Sequence, residues 1–299
     1  MRAVNRKPSF AGLGVALVTP FTSTGELDEA ALRRLVTRQV EGGVDVLVPC
    51  GTTGESATMT EAEQERVIAL TIEEAQGKPV LAGAGSNDTR RAVEKSKAAA
   101  RLGATGVLSV GPYYNKPMPE GFYRHFAAIA DASPVPVVVY NVPGRTGSNI
   151  DAPTLLRLAA HDNVVAVKEA SGNIGQVMDV LRDRPAGFLV LSGDDAVTLP
   201  YMALGAEGVI SVVANQAPRP MADLVAACGR GDHAAARAVH NRLLGLMNLN
   251  FVESNPIPVK ASLALMGLCA ESFRLPLVPP SSATRERLRA ALGALDLLP

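Results

Sequence analysis

The segment Leu102-Gly103-Ala104-Thr105-Gly106-Val107-Leu108-Ser109-Val110 is echoed further along the chain by Leu204-Gly205-Ala206-Glu207-Gly208-Val209-Ile210-Ser211-Val212. Each copy reads as the end of a helix, a glycine stop, and then a strand that is apolar almost throughout. A strand without polar alternation is one covered on both faces, as in a parallel sheet flanked by helices. The separation between the copies is far too long for a solenoid. It suits two similar halves of one large domain.

The rest of the chain repeats the same unit. Short apolar runs at 14–18, 44–48, 80–82, 136–140, 164–167 and 188–191 join the two above to make eight strand candidates. Helix candidates separate them. One spans 28–41, with Asp28 as its cap and Leu32, Leu35, Val36 and Val40 on one face. Thr60 and Glu63 form a capping box for the next. Others fit 88–102 and the stretch from Glu120 to Ser133, and Asp151 caps a further one. No G-x-G-x-x-G follows the first strand, which argues against an open dinucleotide-binding sheet. Eight β/α units predict an α/β fold of the (β/α)8 TIM-barrel type over 1–231. Beyond Gly231 only helix candidates remain, at 232–246, 258–267 and 283–297. These predict a C-terminal helical domain over 232–299.

Composition narrows the function. The 299 residues carry 29 basic and 29 acidic side chains, which leaves no charge imbalance to favour nucleic acid or an anionic membrane. Cys50, Cys228 and Cys269 are far apart and form no C-x-x-C pair, which argues against a disulfide framework or a zinc cluster and fits a reducing cytoplasm. The polar first eight residues lack the apolar centre of a signal peptide, and no run of about 18 apolar residues is present to span a membrane.

The run Asn163-Val164-Val165-Ala166-Val167-Lys168-Glu169-Ala170-Ser171-Gly172 puts a lysine at the C-terminal end of a buried strand. In water roughly one lysine in 2,500 is the free amine at pH 7. Burial lowers the pKa and makes the amine available as a nucleophile toward a carbonyl. The competing reading is a stem that lines the core while its ammonium reaches water or pairs with Glu169.

Barrel active sites lie at the C-terminal ends of the strands. Those ends hold Thr52, Thr53 and Glu55 after strand two, Tyr113 and Tyr114 after strand four, Tyr140 and Arg145 at strand five, Lys168 at strand six and Gly193 after strand seven. Singly, each has an ordinary explanation: a turn, a core aromatic, a solvated charge, and for Asp194 and Asp195 a helix cap. Together they offer an amine, two kinds of hydroxyl for proton transfer, and a guanidinium whose fork suits a carboxylate. That combination suggests carbonyl chemistry on an anionic substrate.

The motifs Gly51-Thr52-Thr53-Gly54-Glu55, Pro112-Tyr113-Tyr114-Asn115, Tyr140-Asn141-Val142-Pro143-Gly144-Arg145-Thr146-Gly147, Val167-Lys168-Glu169-Ala170, Leu191-Ser192-Gly193-Asp194-Asp195 and Asn255-Pro256-Ile257-Pro258-Val259-Lys260 occur in that order. In them the chain resembles, over essentially its whole length, the class I pyruvate-dependent aldolase group that contains dihydrodipicolinate synthase and N-acetylneuraminate lyase. Thr52-Thr53 and Arg145 resemble the synthase branch rather than the sugar lyases.

The resemblance implies a lyase. Lys168 would form a Schiff base with pyruvate and then an enamine. Tyr140, Thr52 and Tyr114 would relay protons, Tyr114 reaching in from a neighbouring subunit. Thr53 would hold the pyruvate carboxylate, and Arg145 the carboxylate of L-aspartate-4-semialdehyde. Backbone groups of Gly193 and Ile210 would line the pocket. The product would be 4-hydroxy-tetrahydrodipicolinate, for lysine and diaminopimelate synthesis. No metal or organic cofactor is implied, and the partners are the two substrates and further copies of the chain, as a tight dimer or a dimer of dimers (a homotetramer). Lysine-inhibited members carry two histidines and a glutamate where this chain has Glu61, Gln64 and Arg91, which implies weak or absent lysine feedback. The rival readings are another aldolase of the group acting on a sugar acid, and a non-catalytic barrel that binds small acids.

Overall fold

The computed structural model describes residues 9–299; the expectation about a signal peptide falls on the first eight residues and lies outside them. Eight strands are present: β1 (Gly12–Ala16), β2 (Val46–Val48), β3 (Leu81–Gly83), β4 (Gly106–Val110), β5 (Val137–Asn141), β6 (Val164–Glu169), β7 (Leu189–Ser192) and β8 (Gly208–Ser211). They pair in parallel in the order β2-β1-β8-β7-β6-β5-β4-β3. A parallel bridge between Leu47 and Val80 closes the ring, with the Gly83 amide donating to the Pro49 carbonyl across the same seam. The fold is therefore the expected (β/α)8 barrel.

The outer ring contains α1 (Glu29–Glu41), α2 (Glu61–Glu74), α3 (Thr89–Leu102), α4 (Pro119–Ala132), the single turn α5 (Pro143–Thr146), α6 (Ala152–Ala159), α7 (Ile174–Asp183), α8 (Thr198–Ala203) and α9 (Pro218–Gly229). Helices α10 (His233–Leu249), α11 (Ile257–Leu265) and α12 (Ser282–Gly293) follow. Local chemistry sets the starts. Asp28 and Asp151 accept the amide protons of Ala31 and Thr154, and both hydrogen bonds of the Thr60–Glu63 capping box are made.

The internal repeat has a structural basis. Gly103 and Gly205 both end a helix in the left-handed region, at φ +99° and +107°, which a side chain would disfavour. The next residues, Ala104 and Ala206, return their amides to Ala99 and Tyr201 of the preceding helices. Thr105 and Glu207 then donate to the neighbouring strands at Val80 and Val190. Matching positions thus do matching work in β4 and β8.

Strand ends differ from the expected ones by one or two residues, for identifiable reasons. The ladder of β1 stops at Ala16 because the Val18 amide is taken by the Asn215 side chain at 3.2 Å. Val44 stays in the turn after α1, where its amide bonds to the Gln39 carbonyl.

Two apolar layers result. Val107, Val139, Val167, Val190 and Val209 face the helices. Leu108, Val138, Ala166, Leu191 and Ile210 fill the barrel interior, with Phe10 packed among them at the N-terminal mouth. The outer layer continues without a break into α10 and α12 through Leu243, Leu246, Leu288 and Leu292. Among the described residues no helix is long and apolar enough to cross a membrane.

Candidate active site

Strand alternation decides which side chains reach the barrel mouth. Ala166 fills the interior, so Lys168, two residues on, points the same way at the last position of that face. Tyr140 stands directly opposite it on β5, above Val138. The Lys168 ammonium lies 4.2 Å from the centre of the Tyr140 ring. Both side chains are buried.

Alternation also removes the competing reading of the lysine. Glu169 points the other way, toward the helices. There it accepts hydrogen bonds from Asn141, Gln176 and the Ser171 amide, so it is engaged and does not pair with Lys168. Burial is the main cause that brings the Lys168 pKa down to about 8; the Asp195 charge opposes the shift and Arg145 adds to it. At pH 7 roughly one Lys168 in ten is then the free amine. Burial likewise pushes the Tyr140 phenol up to about 12, with Arg145 opposing, so its proton stays on at neutral pH.

One cavity brings Lys168, Tyr140, Thr52, Thr53, Arg145 and Gly193 together. Thr53 is held by the Asn255 side chain, whose amide donates to its hydroxyl at 3.0 Å. Arg145 donates to the Asn255 carbonyl at 3.3 Å, which sets the guanidinium at the cavity mouth. The loop Gly51–Glu55 is anchored from below. Glu55, at φ +52°, forms a fully buried ion pair with Lys260 at 2.5 Å, and the ammonium also lies 4.1 Å above the Phe21 ring. The C-terminal extension thus positions the loop that carries both threonines.

Two expected site residues do not line the cavity of their own chain, which for Tyr114 is what a role in a neighbouring subunit's site requires. Ile210 is buried one layer lower in the barrel interior, and the β8 side that lines the cavity is that of Val212. Tyr114 is 89% exposed on the single chain, at φ +74°, outside the cavity. Of the two aspartates expected to cap the helix after β7, Asp194 does so, accepting from the Ala196 amide. Asp195 does not. It is buried and clamps the end of β8 by accepting from the amides of Val212 and Val213 at 3.0 and 2.8 Å. A capping pattern does not reveal which of two adjacent carboxylates turns inward.

Sequence reasoning passed over Lys95, Cys50 and Phe251, which also line the cavity. Cys50 is no rival nucleophile, because burial raises its thiol to about 12. Lys95 comes from the middle of α3, where only the fold reveals that it reaches the strand ends. Among the described residues no group of three or more His, Cys, Asp or Glu side chains could hold a metal ion.

A buried amine of lowered pKa, a protonated phenol, paired threonine hydroxyls and a guanidinium at the mouth are the equipment for Schiff-base chemistry on an anionic ketone. Comparison with known proteins shows which family the chain resembles. The model of the dihydrodipicolinate synthetase family matches residues 9–295. A 4-hydroxy-tetrahydrodipicolinate synthase of Chloroherpeton thalassium is 54% identical over 295 residues, 98% of each chain. The crystal structure of a chloride-inhibited dihydrodipicolinate synthase from Acinetobacter baumannii, complexed with pyruvate, superposes with a TM-score of 0.95 at 42% identity, covering 97% of this chain and 100% of that one. A synthase of the same kind from Cyanidioschyzon merolae, with lysine bound, superposes with a TM-score of 0.94 at 41% identity, covering 97% and 99%. The chain belongs to the dihydrodipicolinate synthetase family.

Proposed function

We infer that this chain condenses pyruvate with L-aspartate-4-semialdehyde to give 4-hydroxy-tetrahydrodipicolinate, the step toward diaminopimelate and lysine. The observation that carries this reading is the buried Lys168 amine facing Tyr140 in one cavity with Thr52, Thr53 and Arg145. The Lys168 nitrogen adds to the pyruvate ketone and water leaves, giving an iminium. Loss of a methyl proton gives the enamine, which forms the new carbon–carbon bond at the aldehyde. The aldehyde oxygen takes up a proton, and the amine of the second substrate then displaces Lys168 and closes the ring. The iminium is itself the electron sink, so the chemistry calls for no metal or organic cofactor.

Tyr140 and Thr52 carry protons to and from these intermediates. Thr53 and the backbone around it receive the pyruvate carboxylate, with Gly193 as a further pocket wall, and Arg145 receives the carboxylate of the aldehyde. Tyr114 completes the relay from a second copy of the chain; its exposure and its place outside the lining of its own cavity support at least a dimer, a tight dimer or a dimer of dimers. Three unpaired cysteines support a reducing cytoplasm as the location.

Lysine feedback is weak or absent in this reading. Arg91 and Glu61 face each other at 3.6 Å, and Gln64 spends its amide on the carbonyls of Ser56 and Met59. An arginine at this place repels the ammonium of free lysine. Turnover unchanged at sub-millimolar lysine is the expected result, and inhibition there would refute it.

The test of the main reading is pyruvate consumption with L-aspartate-4-semialdehyde, run beside N-acetylmannosamine. Turnover with the first alone supports it; turnover with the sugar alone reassigns the substrate. Borohydride reduction with pyruvate should leave its adduct on the peptide that contains Lys168.

A further inference from the structure

Lys95 is a cation that the condensation does not use. It projects from α3, whose barrel-facing positions Ala92, Ser96 and Ala99 are all small, so the helix lies close to the strands. The wall it meets includes Gly83 and Gly85, where there is no room for a side chain. A Cβ on Gly83 would fall 2.1 Å from the Cys50 carbonyl oxygen, and one on Gly85 would fall 2.5 Å from the Val110 amide. Lys95 and Gly83 both line the catalytic cavity and also the groove between α2 and α3, so the lysine lies across that thin wall. With Arg145 it also lines the cleft that continues from the cavity past Tyr113.

The side chain is half-buried and, among the described residues, makes no hydrogen bond or ion pair. Glu61, Glu65 and Glu94 line the groove between α2 and α3 with it, but none is in ion-pair contact with it, and Glu61 is itself paired with Arg91. The cavity it faces is lined by three cations, Lys168, Arg145 and Lys95, and by no carboxylate side chain. A partly desolvated ammonium with no hydrogen-bonded counter-ion gains when an anion in the cavity supplies one.

We propose that Lys95 forms a second carboxylate subsite in the catalytic cavity, which takes the distal carboxylate of a 2-oxo dicarboxylic acid whose ketone has reacted with Lys168. The proposal rests on the Schiff-base role of Lys168. The reaction at that end is the ordinary one: the Lys168 nitrogen bonds to the ketone carbon and the ketone oxygen leaves as water. The distal carboxylate is the selecting group, because its ion pair with Lys95 is available only to a dicarboxylate.

The test sets 2-oxoglutarate against 2-oxopentanoate, which has the same chain length but no distal carboxylate. The two are mixed at equal concentration with the protein and trapped with borohydride, and the adducts on Lys168 are weighed by mass spectrometry. The expected preference for the dicarboxylate is about tenfold, the scale of one hydrogen bond to a charged group. Lys95→Met removes the preference and Lys95→Arg keeps it. No preference in the unaltered protein, or a preference that survives Lys95→Met, overturns the subsite. A pyruvate adduct run in parallel shows that each variant is folded and reactive. Absence of that adduct in the unaltered protein overturns the Schiff-base role itself, and the subsite with it.

Discussion

The pH dependence of iminium formation is the sharpest test of the site. Lys168 has a folded pKa of about 8, pulled down mainly by burial. The reactive form is the neutral amine, so the rate of adduct formation should rise with pH and level off above that value. The neutral fraction is roughly a tenth at pH 7, half at pH 8 and nine-tenths at pH 9. Rapid mixing with pyruvate, a borohydride quench at a fixed short time and intact-mass analysis measure the adduct directly. Its initial rate should grow about fivefold from pH 7 to 8, and less than about twofold from pH 8 to 9. A lysine held in water would instead gain about tenfold for each unit up to pH 9. A tenfold slope that persists through pH 9 would refute the claim that burial activates this amine. Asp195→Asn supplies the sign check. The carboxylate opposes the shift, so its neutralisation should move the plateau to lower pH.

Other regions respond differently. Lys260→Met leaves the Glu55 carboxylate buried without its partner and should destabilise the fold by about 3–5 kcal/mol in a denaturant titration, whereas Lys260→Met with Glu55→Gln should recover much of the loss. Arg145→Lys keeps the charge but loses the fork. It should raise the KM for the aldehyde about tenfold or more while the pyruvate adduct on Lys168 still forms, and an unchanged aldehyde KM would remove Arg145 from carboxylate binding. Burial holds the His125 imidazole down at about 4, below its unfolded value near 6.5, so the unfolded chain binds the extra proton first. Stability from this group is therefore intact above about pH 6.5 and lost as pH falls toward 4, by at most about 3 kcal/mol. In His125→Gln, urea unfolding should show a smaller loss of stability between pH 7 and pH 4.5.

Much of the architecture could be read from local pattern. Continuous apolar strands, aspartate caps and the repeated glycine stops act within a few residues of themselves, so the barrel and its order of elements were legible in the chain. The positions of Lys168 and Tyr140 were legible for the same reason: a strand alternates its side chains, and the chemistry of a barrel collects at strand ends. Glu55 and Lys260 could be named as motif members, but their ion pair joins residues 205 positions apart, and only packing brings them together. Asp194 and Asp195 look equivalent in sequence, yet one caps a turn at the surface and the other is turned inward to clamp β8. Lys95 carries no signal in the sequence that sets it apart from the other cations of its helix. Its place in the catalytic cavity depends on three small residues on its own helix and two glycines in the wall it meets. The sequence by itself determined the barrel and the reactive amine, because short-range periodicity controls both. Tertiary structure alone decided which charges are paired and which face the cavity unpaired, because that depends on how closely distant backbones approach and how much water they exclude.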